Sequence, residues 1–336
     1  MTPSSFAAHT SRRTGSSFFP QEGVVHMTLE FGLLVPQGWR MDLVGISDPI
    51  EAYETMTRVA QEAEALGFAS IWLFDHFHTV PQPTQEVTFE CWTSTAALAR
   101  DTTRVRLGQI VTCNGYRNPA LLAKMASTVD VLSHGRLIFG LGAGWYEHEF
   151  RAYGYDFPDG PTRLRYLRDA VQIILAMWTQ DEAVSEGPYL SVHGAFNQPK
   201  GVQKPHIPLL IGGGGEQVTL KLVAQYADAC NISNPDVAML EHKLAVLKKH
   251  CEEIGRDYNS IKRTVLLDCA IAETEEAALA KSVSFPREQA LIGTPEMIRQ
   301  RLAEYEQAGA QEMILWMPDA KDLQSIRLFA SECMQQ

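Results

Sequence analysis

Eight short apolar runs, separated by longer segments with helical spacing, dominate the chain from Leu29 onward. Most of these runs are apolar at successive positions rather than at every second one, which is typical of strands covered on both faces. Eight such strands alternating with helices predict a (β/α)₈ barrel, and a doubly wound open sheet is the alternative fold. The predicted strands are residues 30–35, 70–74, 105–113, 137–141, 209–212, 229–232, 264–271 and 313–317.

The segments between the runs carry helix boundary signals. Asp48 and Pro49 predict the start of the first helix, because aspartate caps a helix and proline suits its first position. Gly67 predicts the end of that helix. Two connections, residues 179–207 and 272–293, are unusually long. Long loops in compact domains often serve as lids or binding loops, so both are candidates for that role.

Composition restricts the classes of function and location. The net charge of −11 argues against nucleic-acid binding, which needs a basic face. No stretch is apolar enough for a membrane span, and the six cysteines form no Cys-x-x-Cys pair, so a reduced cytoplasm is expected. The polar residues 1–26 lack the apolar centre of a secretory signal. We interpret them as a disordered extension before a single barrel domain of residues 27–336.

A histidine follows the second predicted strand. Active sites of barrels lie where strands end, and Asp75 and His76 stand at that position. Histidine exchanges protons near neutral pH, so His76, with Asp75 beside it, is the candidate catalytic group. A histidine that merely caps the barrel rim is the alternative interpretation.

The third predicted strand ends in small polar residues, and Thr112, Cys113 and Asn114 would let a backbone approach a flat ligand there. A plain connection that ends in a helix cap is the alternative. Glu147 and His148 begin an acidic and histidine-containing triplet further along, but three adjacent residues do not converge on one side. We therefore expect no metal site.

Glycines punctuate the ends of the fourth and fifth strands. After the fourth strand they suggest a bulge or the close approach of a ligand, with barrel packing as the alternative. After the fifth strand four glycines lead toward a helix, where free backbone N–H groups suit a phosphate. The residues concerned are Gly142, Ala143, Gly144, Gly212, Gly213, Gly214 and Gly215.

Two long segments carry a family resemblance. Residues 111–155 (VTCNGYRNPALLAKMASTVDVLSHGRLIFGLGAGWYEHEFRAYGY) and 205–231 (PHIPLLIGGGGEQVTLKLVAQYADACN) resemble the bacterial luciferase-like flavin oxidoreductase family. The details are most similar to the branch that uses the deazaflavin coenzyme F420. The resemblance implies a (β/α)₈ barrel with insertions, often dimeric. It also implies that His76 shuttles a proton near the carbon that gives or takes the hydride.

The resemblance further assigns the cofactor contacts. It implies a non-proline cis peptide behind the flavin ring, at Cys113–Asn114 or at Thr112–Cys113. The glycines after the fourth strand would run alongside the cofactor, and those after the fifth would lie near its ribityl-phosphate tail. Ser233 and Asn234 would add phosphate contacts, and Arg287 is a further phosphate candidate.

One departure from the family pattern concerns the substrate. Sugar-phosphate dehydrogenases of the branch have a glutamate directly after the fourth-strand glycines, where this chain has Trp145. Trp145 and Glu147 are therefore assigned to the substrate pocket, although simple rim packing of Trp145 is equally compatible. The departure places a sugar-phosphate substrate in doubt.

Three functions follow from the resemblance. The first is an oxidoreductase that moves a hydride between F420 and a small organic substrate. The second is a monooxygenase that uses flavin mononucleotide (FMN) and is supplied by a separate reductase. The third is a non-catalytic flavin-binding relative. In each case we expect a homodimer with a small-molecule ligand, and neither nucleic acid nor membrane as a partner.

Overall fold

A computed structural model of the protein describes residues 29–282 and 285–334. The extension predicted for residues 1–26 lies outside these residues. The described strands are β1 (Glu30–Leu34), β2 (Ser70–Leu73), β3 (Arg106–Gln109), β4 (Thr112–Cys113), β5 (Leu137–Gly142), β6 (Ala183–Glu186), β7 (Ser191–Ala195), β8 (Leu209–Gly212), β9 (Ala229–Ser233), β10 (Lys262–Ile271), β11 (Ala290–Gly293) and β12 (Glu312–Trp316).

The described helices surround the strands. They are α1 (Pro49–Leu66), α2 (Cys91–Asp101), α3 (Pro119–Leu132), α4 (Glu147–Ala152), α5 (Gly160–Thr179), α6 (Thr219–Tyr226), α7 (Val237–Ile254), α8 (Glu275–Lys281), α9 (Pro295–Gln307) and α10 (Gln324–Cys333). The boundary residues of α1 act as predicted. The side chain of Asp48 accepts a hydrogen bond from the Ile50 amide, and Gly67 ends the helix in the left-handed conformation.

Eight parallel strands close into a barrel in the order β1-β2-β3-β5-β8-β9-β10-β12. Closure is completed because β12 pairs with both β10 and β1. The predicted (β/α)₈ barrel is confirmed, and the doubly wound alternative is wrong. The eight predicted strands all lie in the barrel, since a strand that is covered by helices outside and by neighbours inside must be apolar along its length.

The interior of the barrel is packed around Trp72. This indole is fully buried, and glycines on the two flanking strands make room for it. A Cβ added to Gly108 would lie 2.3 Å from the Trp72 ring, and one added to Gly32 would lie 2.7 Å from its Nε1 atom. Trp72 Nε1 donates a hydrogen bond to Ser70 Oγ, which in turn pairs with Glu312. The amino-terminal half of the barrel is therefore closed, which leaves the carboxyl-terminal end for a ligand.

The two long connections differ from the prediction. Residues 179–207 contain the antiparallel hairpin of β6 and β7, and residues 272–293 contain α8 and β11. Neither contributes a described residue to the cavity below, so a role as a lid or binding loop stays a prediction. Short strands that alternate weakly, or run for only four residues, leave too little periodicity to recognise in the sequence.

The cysteines, the helices and the potential metal ligands each bear on an expectation from the sequence. All six cysteines are free and buried, as expected for apolar thiols. No helix in the described part of the chain is long and apolar enough to cross a bilayer. Within residues 29–282 and 285–334, no group of three or more histidine, cysteine, aspartate or glutamate side chains is arranged to hold a metal ion.

Candidate active site

A cavity of about 1000 Å³ opens at the carboxyl-terminal end of the barrel. Residues that follow or end the barrel strands form its wall, including His76 after β2, Trp145 after β5 and Trp316 at the end of β12. The structure brings most of the predicted site residues together here: Asp75, His76, Cys113, Gly142, Ala143, Gly144, Trp145, Gly212, Gly213, Ser233 and Asn234 all line the cavity.

Other predicted site residues do not line the cavity. Thr112 and Asn114 are buried, and Gly214 and Gly215 lie in the irregular segment between Gly213 and the turn of residues 216–218. Glu147 is exposed and forms an ion pair with Arg151, one turn along α4. Arg287, predicted as a phosphate partner, is exposed in a 3-10 turn outside the cavity.

The predicted cis peptide is displaced. It lies at Ile110–Val111, not at Cys113–Asn114 or Thr112–Cys113, so both predicted positions are wrong. The bond falls in the gap between β3 and β4, where the sequence predicted one unbroken strand. An apolar run does not show where hydrogen bonding to its neighbours is interrupted, because burial is the same on both sides of the break.

Glycines on the neighbouring strands accommodate this interruption. A Cβ on Gly140 would lie 1.8 Å from the Gln109 carbonyl oxygen. A Cβ on Gly142 would lie 2.5 Å, and one on Gly212 2.7 Å, from methyl carbons of Val111. These glycines are required by packing against residues 109–111, whereas the sequence left packing and ligand approach open. Gly142 and Gly212 also line the cavity, so at these two positions the absence of a side chain both makes room for Val111 and leaves space for a ligand.

The turn after β8 supplies hydrogen-bonding groups on the opposite side of the barrel mouth from His76. Helix α6 begins at Thr219, after a further turn of residues 216–218, rather than directly after the glycines. Gly213, Thr219, Ser233 and Asn234 line this part of the cavity. The buried Oδ1 of Asn234 has no hydrogen-bond partner among the described residues. An orphaned polar atom of this kind is expected where a polar ligand group completes the site.

His76 is held by a fully buried carboxylate. Its Nδ1 lies 2.8 Å from Glu149 Oε2, and the two side chains are 11 % and 0 % exposed. Glu149 Oε1 accepts hydrogen bonds from the backbone N–H groups of Phe77 and His78, at 2.6 and 2.8 Å. Tyr116 donates its hydroxyl proton to Oε2 at 2.8 Å. Each of the two carboxylate oxygens of Glu149 therefore has two hydrogen-bond partners.

The protonation states of this group follow from its contacts. Burial raises the pKa of Glu149, but the hydrogen bonds from His76, His78 and Tyr116 outweigh burial and hold the pKa below its usual range. Burial, with Cys113 and Glu149 nearby, raises the pKa of Tyr116, so its hydroxyl remains protonated. An ionised Glu149 only accepts hydrogen bonds, which assigns a proton to Nδ1 of His76. The Nε2 atom, which has no partner among the described residues, remains for a ligand in the cavity.

Glu149 was not identified as a site residue from the sequence. It stands on α4, 73 positions after His76, and its partners come from the segments that follow β2 and β4. The sequence presents Glu149 only as the last residue of the Glu147-His148-Glu149 triplet, which does not predict a metal site. The helical spacing does place Glu149 and Phe150 on the buried side of α4 and Glu147 on the exposed side, which is the available signal.

Asp75 connects the segment after β2 to the segment after β4. Its carboxylate forms a two-point ion pair with Arg117, at 2.7 and 3.0 Å, and accepts a hydrogen bond from the Cys113 amide at 2.8 Å. Burial lowers the pKa of Arg117, but Asp75 outweighs burial and raises it, so the guanidinium is charged. Burial, together with Asp75, raises the pKa of the Cys113 thiol, which is therefore protonated and unreactive. Asp75 thus fixes the segment after β4 to the end of β2.

Aromatic side chains surround His76. Its ring stacks on Trp39, with ring centroids 4.0 Å apart and an interplanar angle of 5°. Trp145 and Tyr146 approach the imidazole edge-on, at 5.7 and 6.0 Å. Trp145 is 60 % exposed at the mouth and stacks on Tyr146, so it lies between His76 and solvent. The predicted place of Trp145 on the pocket wall agrees with this arrangement.

These residues fit a flat tricyclic cofactor. The wall formed by Val111, Gly142 and Gly212 presents almost no side-chain bulk beyond the valine, as a ring system requires. Gly213, Thr219 and Ser233 offer backbone and hydroxyl groups for a polar tail near the start of α6, where helical N–H groups are free. The cavity volume is also large enough for a cofactor and a small second ligand.

Comparison with known proteins agrees with this geometry. A family model described as luciferase-like monooxygenase matches residues 29–289. An uncharacterized protein of Mycobacterium tuberculosis is 29 % identical over 266 residues, covering 75 % of this chain and 91 % of the relative. An F420-dependent glucose-6-phosphate dehydrogenase of Kineococcus radiotolerans is 32 % identical over 228 residues, covering 66 % of this chain and 65 % of the relative.

Solved structures share the fold. An F420-dependent secondary alcohol dehydrogenase, in complex with an F420–acetone adduct, has a TM-score of 0.77 at 20 % identity, covering 92 % of this chain and 100 % of that one. The monooxygenase RslO1 from Streptomyces bottropensis has a TM-score of 0.76 at 21 % identity, with 91 % and 99 % covered. At such identities the structural likeness establishes the barrel architecture.

Proposed function

The chain belongs to the luciferase-like monooxygenase family, and on that premise we propose that it is an oxidoreductase that transfers a hydride between coenzyme F420 and a small organic substrate. The observation that carries the proposal is the His76–Glu149 pair, which leaves the imidazole Nε2 free at a cavity with a glycine-rich wall. The F420-dependent dehydrogenase among the sequence relatives supports the choice of deazaflavin.

The chain provides a place for the ring and for the tail. Val111, Gly142 and Gly212 would bear on one face of the ring, and Gly213, Ser233 and Asn234 would hold the polar tail. Bound F420 supplies a carbon centre that accepts or donates a hydride, that is, two electrons at once. The protein's part is to orient that carbon against the substrate and to exclude water.

His76 would accept or donate the proton that is transferred together with the hydride. With Nδ1 bonded to Glu149, Nε2 can accept the proton of a substrate hydroxyl, or return it to a carbonyl oxygen in the reverse direction. The negative charge of Glu149 stabilises the imidazolium that forms when Nε2 takes up a proton. Tyr116 and the two backbone amides hold Glu149 in place, so the imidazole does not rotate away.

Cofactor titration tests the proposal directly. Purified protein is titrated with F420 and, in parallel, with FMN, and fluorescence reports the dissociation constants. The proposal predicts tighter binding of F420. Tighter binding of FMN would favour a flavin-dependent monooxygenase, and binding of neither would refute a cofactor role for the cavity.

Substitution of His76 tests the proton transfer. His76→Ala is expected to lower turnover by about 10²–10⁴-fold, the usual contribution of a general acid or base, and to change cofactor affinity far less. His148→Ala is the matched control, because His148 is an exposed histidine on α4 that does not line the cavity. Equal turnover in the two variants would contradict the assignment.

A further inference from the structure

The cavity wall next to His76 is apolar and aromatic. Trp39 stacks on one face of the His76 imidazole, and the ring centroids of Phe74 and His76 are 6.4 Å apart. Trp316 ends β12, the strand that pairs with β1. Val80 and Pro81 complete this side of the cavity. A surface of this composition binds apolar groups through loss of their contact with water and offers few partners to a strongly hydrated ligand.

Arg40 brings the only lysine or arginine side chain among the described residues of the cavity wall. Its guanidinium is already engaged. It forms a two-point ion pair with Asp268, with N–O distances of 2.5 and 3.1 Å, and the Asp268 side chain is only 5 % exposed. The guanidinium also lies 3.6 Å from the ring centroid of Trp316. The positive charge of Arg40 is therefore neutralised within the wall.

Negative charge prevails at the reacting end. Arg117 neutralises Asp75, and Arg40 neutralises Asp268. Among the described residues the ion-pair partner of Glu149 is His76, so the charge of Glu149 is uncompensated whenever the imidazole is neutral. An anionic substrate at Nε2 of His76 would be repelled by Glu149 across the imidazole ring, and the described cavity wall offers no lysine or arginine other than the paired Arg40. In a site of reduced dielectric constant such repulsion is strong, because water screens it poorly.

We propose that this part of the cavity selects an uncharged, largely apolar substrate with a hydroxyl or carbonyl oxygen, and that the Arg40–Asp268 pair is the specificity determinant that keeps anions out. This inference rests on the proposed function, because the bound molecule is a substrate only if the protein is the proposed oxidoreductase. It excludes sugar phosphates and carboxylates as substrates. The guanidinium of Arg40 lines the cavity, but the carboxylate of Asp268 compensates its positive charge. Arg40 would therefore attract an anion only if the Asp268 carboxylate were removed.

A matched pair of probes tests the inference by binding alone. Cyclohexanone and cyclohexanecarboxylate have a similar apolar body and differ in charge. Their dissociation constants are measured by ligand-observed saturation-transfer NMR, with and without saturating F420. The native protein is expected to bind cyclohexanone at least about tenfold more tightly, the scale of one unfavourable charge contact in a partly buried site.

Two variants identify the determinant. Asp268→Asn frees the charge of Arg40 and is expected to shift the affinity ratio toward the carboxylate by about tenfold or more. The double variant Arg40→Gln/Asp268→Asn has a neutral pair of similar shape and should regain the native preference. If Asp268→Asn does not fold, Arg40→Gln alone should raise the preference for cyclohexanone, because Asp268 then stands uncompensated.

The outcomes separate this inference from the proposed function. Equal or tighter binding of the carboxylate by the native protein would overturn the inference, as would binding of neither probe. An unchanged ratio in Asp268→Asn would overturn the role of the Arg40–Asp268 pair. Failure of F420 to bind, with the probe preference intact, would instead refute the proposed cofactor and leave the charge selection standing.

Discussion

Replacement of Glu149 by glutamine should change which nitrogen of His76 carries the proton. The backbone amides of Phe77 and His78 require an acceptor, so they fix the glutamine oxygen at the position of Oε1. The new NH₂ group then faces His76 Nδ1 and the Tyr116 hydroxyl. A donor at that position forces Nδ1 to accept a hydrogen bond, so the proton moves to Nε2 and His76 can no longer accept one from a substrate.

The magnitude follows from the four hydrogen bonds of the carboxylate. Hydrogen bonds to a charged group contribute roughly 1.5–3 kcal/mol each and neutral ones roughly 0.5–1.5 kcal/mol, so Glu149→Gln should lower the free energy of unfolding by about 2–4 kcal/mol. Turnover in the direction that needs His76 as a base should fall on the order of 10²-fold. Cofactor affinity should change little, because Glu149 does not line the cavity.

Nuclear magnetic resonance gives a readout that needs no substrate. Long-range ¹H–¹⁵N spectra of protein with ¹⁵N-labelled histidine distinguish the two tautomers, and His76→Ala assigns the signal. Glu147→Gln is the matched control, because Glu147 is exposed two residues away on the same helix and, in the described part of the chain, its carboxylate pairs with Arg151 alone. An Nδ1–H tautomer that persists in Glu149→Gln would refute the reasoning.

Three further substitutions test the packing and electrostatics around the site. Gly212→Ala places a Cβ 2.7 Å from Val111 Cγ1 and should lower the free energy of unfolding by about 1–3 kcal/mol, with Val111→Ala restoring most of it; thermal unfolding without rescue would contradict the packing role. Asp75→Asn removes the main partner of Arg117 and should lower stability by about 3 kcal/mol, measured by urea unfolding; an unchanged midpoint would contradict the ion pair. Burial raises the pKa of Glu64, but four hydrogen bonds outweigh it and lower the pKa from 4.5 to about 2, so its stabilisation is complete above pH 4.5 and lost as the pH falls toward 2. The stability gap between native protein and Glu64→Gln should therefore close over that range, and a constant gap would show that Glu64 does not titrate as described.

Much of the fold could be predicted from local patterns. Continuous apolar runs marked all eight barrel strands, because each strand must be covered on both faces wherever it stands in the barrel. Residues at strand ends could be placed at the mouth for the same reason, since parallel strands in a barrel all end on one side. His76, Trp145 and the glycines Gly142 and Gly212 were located in this way.

The contacts that define the candidate site depended on the closed barrel. His76 and Glu149 are 73 residues apart, and Arg40 and Asp268 are 228 residues apart, so no local periodicity connects them. The break at Ile110–Val111 lies inside an unbroken apolar run, and only the neighbouring glycines make room for it. Local burial and strand order were thus determined by the sequence itself. The pairing of charges and the protonation of His76 were decided by closure, because a hydrogen bond forms only where folding brings its donor and acceptor within reach.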